Sequence, residues 1–312
     1  MNIKIITTMK NLIIIILAIC TSVSVFAQDT QETKKENKNK SLLGYFILND
    51  SKPQTTYEAG LTIDNHTSYI PSAKTLEFMI QHRFGSMENG ISDFFGIYGT
   101  ANTRLALNYS IMDWLQIGFG TTKNYKLQDL SLKANLLRQS KDNKSPLDVT
   151  YYGNFSIDAR DESYFGEDYQ FGDRAAYFHE LLVSRKVTNW FIASVGGSFT
   201  HFNQMDSLYE HDKIALHFVG RIKFSPQSAV IINCDVPLKI QGIAEWSEFT
   251  NPPKYNFGIG YEATTATHVF QIFAGSATYL VPQYNVMMNQ DDFFKNIDNV
   301  FIGFNISRVW NF

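Results

Sequence analysis

The sequence is short of cysteine, of long apolar runs and of excess basic charge, and each shortage excludes a class of protein. Only Cys20 and Cys234 occur, and the first lies in a leader-like segment. The rest of the chain therefore has no intrachain disulfide and no cysteine-based metal site. After Ala27, no apolar run approaches the roughly 20 residues of a membrane-spanning helix. With 27 basic and 30 acidic residues, the chain lacks the charge of a nucleic-acid-binding protein.

The first residues have the features of a secretory signal peptide. Lys4 and Lys10 provide the basic start, Leu12–Ile19 is the apolar run, and a small-residue site ends at Ala27. This pattern predicts cleavage after Ala27. Two alternatives are a membrane anchor, for which the apolar run is short, and lipoprotein processing at Cys20, which requires a small preceding residue where this chain has isoleucine.

The composition divides the remaining chain into three parts. Residues 28–50 begin with a charged and amide-rich run that cannot bury enough apolar surface to offset the entropy of ordering, which predicts a flexible, disordered tail. Residues 51–74 are mixed in character and are predicted to form an extension with an extra strand or a plug-like segment at Tyr57–Ile63. Residues 75–312 are predicted to form one large β-domain.

From Thr75 onward, apolar and polar residues alternate with a period of two in about twelve segments. In Thr75–Phe84, for example, leucine, phenylalanine and isoleucine share one face, whereas Glu77 and Arg83 share the other. Ile231 falls on the polar face and blurs its own segment. The segments have the length of tilted membrane strands. The pattern predicts an all-β fold, a closed antiparallel transmembrane β-barrel of about 12 strands.

The connections between the segments alternate in length. Most connections after even-numbered segments are short, as at Val187–Asn189 and Ser225–Gln227, and most after odd-numbered ones are long; the exceptions are Thr121–Lys126 and Arg138–Pro146. Outer-membrane barrels have short periplasmic turns and long outer loops. We therefore expect an outer-membrane location and contact with outer-membrane lipids. A periplasmic or secreted β-sandwich is the alternative, in which the apolar faces would be buried against a second sheet.

The chain ends in an alternating segment, Phe301–Phe312, in which Trp310 and Phe312 share the apolar face. A last strand with a terminal aromatic residue is similar to the signal that the barrel-assembly machinery recognises. We therefore expect Trp310 and Phe312 to act as an assembly signal and the assembly machinery to be a partner.

Several stretches resemble the Bacteroidetes β-barrels of domain-of-unknown-function family 5777. They cover the chain from about Thr75 to its end: Thr75–Gly85, Ala101–Gly120, Leu132–Ser140, Glu180–Lys186, Thr267–Phe273 and Phe301–Trp310. The first and last are the most specific, because E-x-x-I-x-H-R-F-G and G-F-N-I-S-R-V are longer than a generic alternation. The resemblance implies an outer-membrane barrel and carries no catalytic residues with it.

The charged residues on the polar face are the candidate site, because a charge facing lipid would be costly and these side chains should point into the lumen. The candidates are Glu77, Arg83, Arg104, Glu180, Lys213, Arg221, Lys223 and Glu262. Two interpretations remain: the charges line a wet pathway and set its selectivity, or they pair with one another and fill a narrow barrel.

Motifs for enzyme chemistry are weak in this sequence. Neither Ser198 nor Ser276 has the G-x-S-x-G spacing of a nucleophile elbow, although a barrel can assemble a triad from distant strands. The histidines show no metal-ligand spacing; His201 and His211 flank a loop whose acidic residues are expected to be solvated. No cofactor and no metal are predicted.

These observations favour an outer-membrane channel or transporter for a small solute. One alternative is a non-conducting structural or interaction barrel that binds partners through its long outer loops. A lipid-modifying outer-membrane enzyme is the third and least favoured interpretation.

Overall fold

The computed structural model describes residues 54, 56–142, 144–206, 208–239 and 251–312, apart from the side chain of Ile297. The predicted signal peptide and the predicted tail at 28–50 lie outside the described residues. Twelve antiparallel strands form a closed barrel, because each pairs with its neighbours in sequence and the last strand pairs with the first. The predicted fold class, a closed antiparallel barrel of twelve strands, is confirmed.

The described residues form a two-stranded hairpin, the barrel strands and one α-helix. The hairpin strands are β1 (Leu61–Thr62) and β2 (Asn65–His66). The barrel strands are β3 (Thr75–Ser86), β4 (Asn102–Met112), β5 (Leu115–Thr122), β6 (Gln128–Leu137), β7 (Asp148–Ile157), β8 (Ala175–Lys186), β9 (Phe191–Phe202), β10 (Asp212–Ser225), β11 (Ser228–Leu238), β12 (Asn256–Thr264), β13 (His268–Gly275) and β14 (Phe301–Asn311). The helix is α1 (Pro282–Met288), and short 3-10 helices lie in the loops.

Each barrel strand has one polar, buried face and one apolar, exposed face. In β3, the residues from Thr75 to Ser86 alternate between buried and half-buried without a break. The side chains of a strand point alternately to opposite faces, so the buried set faces the lumen. Large apolar side chains cover the outside, among them Leu105, Leu107, Phe119, Leu130, Leu132, Leu181, Phe199, Ile259, Phe270 and Ile272.

The two ends of the barrel differ in their connections. At the end where β3 begins and β14 ends, the turns at 113–114, 226–227 and 265–267 are tight; we name it the tight-turn end. At the opposite, long-loop end, β7–β8 and β13–β14 are joined by residues 158–174 and 276–300. The turn at 113–114 is short because Ser110 and Met112 still pair with β5.

In the described part of the chain, no helix has the length and apolarity to cross a membrane.

The segment before the barrel, residues 56–71, lies inside the lumen, and we name it the plug. Tyr57, Leu61 and Ile63 are at most 4% exposed, and their neighbours belong to strands on different sides of the barrel. The hairpin β1–β2 forms the inner end of the plug, and its turn at Ile63–Asp64 is the plug tip.

Helix α1 enters the lumen from the other end. It lies in the β13–β14 connection and contacts β8, β9, β10 and β11. Its buried Tyr284 and Met287 pack with Leu127 and Phe202, and Gln283 Nε2 donates to Asn154 Oδ1 at 2.8 Å. The lumen is thus filled by two segments that enter from opposite ends.

Candidate functional site

Side chains of the barrel wall bind the plug through its backbone. Lys133 Nζ donates to the carbonyl oxygen of Gly60 at 2.7 Å, and Gln271 Nε2 donates to that of Leu61 at 2.9 Å. The carbonyl oxygen of Ile63 accepts from Arg83 and from Asn305, which donate at 3.1 and 2.8 Å. The plug therefore meets its need for buried hydrogen bonds without joining the sheet.

Charged and amide groups hold the plug tip. Arg83 Nη2 donates to Asp64 Oδ1 at 2.6 Å, and the two side chains are 1% and 2% exposed. On the facing wall, Asn65 Nδ2 donates to Asp235 Oδ1 at 2.6 Å. Ile63 has a φ of 55°, in the left-handed region that β-branched residues avoid. The contacts around the tip hold this strained residue in place.

Apolar contacts fit the plug to the wall at particular positions. Ile63 packs against Ile231 and Phe273. A Cβ at Gly258 would lie 3.0 Å from Ile63 Cγ2, so a glycine allows the tip its close approach to β12. Burial of a side chain of this size contributes about 1.5–3 kcal/mol. Ile231, which interrupts the sequence alternation, faces inward because it forms part of this seat.

Seven of the eight predicted lumen charges are buried, and the eighth, Lys223, is half-buried on the inward side near the tight-turn end. Most of them are paired. Arg221 Nε donates to Glu262 Oε1 at 2.7 Å, which joins two members of the predicted set. Lys213 pairs with Glu210, a residue of the β9–β10 loop. These pairs are in keeping with the interpretation in which the charges compensate one another.

Arg104 has a partner that the sequence did not identify. Its Nε and Nη2 donate to the two carboxylate oxygens of Asp129 at 2.9 and 2.6 Å, which is a bidentate pair. Gly120 lies between them, and a Cβ there would come within 2.4 Å of Arg104 Nη2. Asp129 lies on the polar face of its segment. This alternation was the only feature of the sequence that indicated an inward position for Asp129.

Two predicted carboxylates are less completely satisfied. Glu77 Oε2 accepts from Asn108 and Gln116, but Oε1 has no hydrogen-bond partner among the described residues. Glu180 Oε1 is likewise without one in the described chain. Buried carboxylate oxygens without donors are uncommon in proteins. Both carboxylates lie beside the plug: a Cβ at Gly60 would be 3.5 Å from Glu77 Oε1, and Glu180 lines a small cavity together with Asn65 and His66.

A serine, a histidine and an aspartate form a chain of hydrogen bonds inside the lumen. His217 Nε2 lies 2.7 Å from Ser198 Oγ, and His217 Nδ1 lies 2.8 Å from Asp235 Oδ1. The three side chains are 3–4% exposed. Their order is that of a hydrolase triad. The alternation of polar and apolar residues placed Ser198, His217 and Asp235 at inward positions of β9, β10 and β11, but no sequence motif connected them.

The predicted loop histidines have ordinary partners. His201 pairs with Asp212 at 2.7 Å, and His211 Nδ1 lies 2.9 Å from the carbonyl oxygen of Phe202. Within the described ranges, no group of three or more His, Cys, Asp or Glu residues could hold a metal ion.

A cavity opens on each side of the closed region. The outer vestibule, at the long-loop end, measures about 390 Å³ and is lined by Arg83, Ser86, Asn89, Asp93, Asn102 and Thr278 among others. The inner vestibule, at the tight-turn end, measures about 320 Å³ and is lined in part by Thr56, Tyr69, Arg138 and Asp148. Arg83 is thus shared between the outer vestibule and the plug tip.

The sequence alone could have indicated the plug more clearly. Large apolar residues at inward positions, such as Met79, Val219, Ile231 and Phe273, are exceptions to the polar lumen face. Each one contacts a residue of the plug or joins a cluster that contains one. Apolar residues at lumen positions therefore indicate a segment that fills the lumen.

Several solved structures are similar to this chain at low sequence identity. Similar solved structures include the COG4313 outer membrane channel from Pseudomonas putida F1, with 11% identity, a TM-score of 0.46 and coverage of 78% of this chain and 97% of that one. The NanC porin has 10% identity, a TM-score of 0.46 and coverage of 76% and 99%. LpxR from Salmonella typhimurium has 10% identity, a TM-score of 0.35 and coverage of 76% and 100%.

No curated protein matches the chain significantly. A family model described as a membrane-bound β-barrel domain, DUF5777, matches residues 57–310, which include both the plug and the barrel. The chain therefore belongs to the DUF5777 family of membrane-bound β-barrels.

Proposed function

We propose that this protein is an outer-membrane channel for a small solute, closed at rest by its own plug and opened when the plug withdraws. The observation that carries the proposal is the polar wall behind the plug. Inward positions hold Gln81, Lys133, Asn154, Asn233 and Gln271, in addition to the charged residues above. A barrel whose lumen is always filled does not require polar side chains on its inner face, because apolar packing stabilises a core at least as well as buried ion pairs do.

The plug is suited to withdrawal. It makes no strand pairing with the barrel, since β1 and β2 pair with each other and the twelve wall strands close without them. Because the barrel has no unpaired edge with or without the plug, withdrawal leaves the sheet intact. The ends of the barrel support an orientation in which the tight turns face the periplasm and the long loops face outward.

The test is the conductance of the refolded full-length protein in a planar bilayer. We compare the wild type with Tyr57→Ala, since Tyr57 is 1% exposed and packs against Ile192 and Val219 in the plug seat. Tyr98→Ala is the control, because Tyr98 lies in an outer loop and is 79% exposed. We expect rare openings in the wild type and the control and frequent openings in Tyr57→Ala.

Folding is checked by the heat-dependent electrophoretic mobility of the barrel. If Tyr57→Ala inserts and folds but stays as silent as the wild type, the channel proposal fails. That result would favour the second candidate, a non-conducting barrel that acts through its outer loops. The pairing of Arg221 with Glu262 and of Arg104 with Asp129 supports this candidate, because paired charges can close a lumen permanently.

The triad-like arrangement supports a third candidate, a hydrolase. Ser198 is buried within the lumen, so a substrate could reach it only after the filling segments move. The measurement is covalent labelling by a fluorophosphonate, with Ser198→Ala as the control. Labelling that requires Ser198, together with ester hydrolysis, would establish an enzyme; we expect neither, because a strand position has its backbone donors in the sheet and offers no ready oxyanion hole.

A further inference from the structure

Arg83 connects the outer vestibule to the plug tip. Its side chain is 1% exposed and contributes to the lining of the vestibule. On the plug side, its Nη2 binds both the carbonyl oxygen of Ile63 and the carboxylate of Asp64. A ligand that binds Arg83 from the vestibule therefore changes the group that holds the plug tip.

The guanidinium of Arg83 is only partly used by its intramolecular partners. Nη1 donates to the carbonyl oxygen of His82 and to Asn305 Oδ1, both at 3.0 Å. Nε is buried and has no hydrogen-bond partner among the described residues. A guanidinium binds a planar carboxylate best through two parallel N–H bonds. Asp64 makes only one such bond, in which its Oδ1 accepts from Nη2 of Arg83. A competing carboxylate can therefore form two parallel bonds where Asp64 forms one.

The charges around the outer vestibule suit an anion once Asp64 leaves. Lys123 Nζ donates to the carbonyl oxygen of Ala101, at the vestibule lining, at 2.8 Å. Asp93 is the acidic residue of the lining, and its carboxylate already accepts from the amide of Gly96 and from Asn89. When the plug tip withdraws, Arg83 loses both the carboxylate of Asp64 and the carbonyl oxygen of Ile63. A carboxylate in the vestibule can then form two charge-assisted hydrogen bonds with the freed guanidinium.

We propose that the outer vestibule is a binding site for a small organic carboxylate, which replaces Asp64 on Arg83 and so favours release of the plug. The inference rests on the proposed plugged channel and adds its ligand class and its trigger. The cavity of about 390 Å³ lies in the range of small-molecule sites. The carboxylate binds the withdrawn state better than the seated one, which is the condition for a ligand to shift a conformational equilibrium.

Release is measured by a thiol reporter inside the barrel. Ser194 is 3% exposed and lies beneath the plug, where its hydroxyl contacts that of Tyr57. In the full-length protein, both native cysteines are replaced by serine, and Ser194→Cys is added. The rate of labelling by a water-soluble maleimide reports withdrawal of the plug. Benzoate is the probe, and benzamide is its neutral control of matched size.

We expect benzoate, but not benzamide, to accelerate labelling of the reporter. For a ligand that binds only the withdrawn state, the rate rises by the factor 1 + [L]/Kd, to about hundredfold at 100 Kd. Asp64→Asn should label faster without any ligand and should lose the benzoate response, because Arg83 is then open in both states. Asp142→Asn, in an exposed turn, should behave like the parent.

Two results would overturn the inference: equal effects of benzoate and benzamide on the parent, or a full benzoate response in Asp64→Asn. The channel proposal is judged separately by current. If Tyr57→Ala conducts while benzoate has no effect on labelling, the carboxylate site fails and the channel stands. If benzoate accelerates labelling while Tyr57→Ala carries no current, the site stands and the channel fails.

Discussion

Truncation of the plug tip by Ile63→Ala should release the plug without weakening the barrel. Ile63 is fully buried against Ile231 and Phe273, and truncation of a buried isoleucine to alanine costs about 2–5 kcal/mol. The φ of 55° at this residue offsets part of the loss, because alanine tolerates the left-handed region better than a β-branched residue, by about 1 kcal/mol. The seated state should lose about 1–4 kcal/mol, which raises the withdrawn fraction by a factor of about 5 to 800.

The assay is the maleimide labelling of the Ser194→Cys reporter with and without Ile63→Ala. Because Ile63 belongs to the plug and forms no part of the sheet, the thermal shift in electrophoretic mobility of the barrel should stay unchanged. Ile91→Ala is the matched control, since Ile91 lies in an outer loop and is 83% exposed. A folded Ile63→Ala protein whose labelling rate matches that of the control would refute the reasoning, because the tip contacts would then not hold the plug.

Three further predictions concern the wall and the last residue. Gly120→Ala should lower the free energy of unfolding, measured by urea titration, by about 3–5 kcal/mol, because its Cβ would separate a buried ion pair. Gly197→Ala is the control and should change this free energy little, because a Cβ at Gly197 would point into open space. Arg221→Gln should destabilise the barrel by a similar amount of about 3–5 kcal/mol, because it leaves Glu262 buried without its partner. The double variant Arg221→Gln/Glu262→Gln should recover most of that loss. A single variant as stable as the wild type would contradict the importance of this pair. Phe312→Ala should reduce assembly into the membrane in cells and leave in vitro stability nearly unchanged, since Phe312 is 79% exposed; equal amounts of assembled protein would argue against an assembly signal.

The inward and outward faces of the strands could be predicted from the sequence in detail. Glu77, Arg104 and Arg221 were assigned to the lumen from parity, and all three are buried there. The alternation is sufficient to assign a residue to the inward or outward face, because successive side chains of a strand point to opposite faces whatever the neighbouring strand is. The same rule left Ile231 as an anomaly, which the plug explains.

The partners of these charges could not be predicted in the same way. Arg104 meets Asp129 across two strand boundaries, and His217 meets Asp235 and Ser198 through the registers of β10 with β11 and β9. A shift of register by two residues would preserve every parity and change every pair. Contacts across the lumen also depend on closure of the sheet. The residue pattern of a single strand carries no information about that closure.

The sequence by itself determined the barrel: a period of two, the number of strands, the sorting of the connections and the polarity of the two faces. These are local properties, fixed by the geometry of one strand and by the cost of facing charge toward lipid. Only the tertiary structure decided that residues 56–71 fill the lumen and that Arg83 is shared between the plug tip and the outer vestibule. The plug is short and irregular, and its position follows from hydrogen bonds to strands that come together only when the barrel closes.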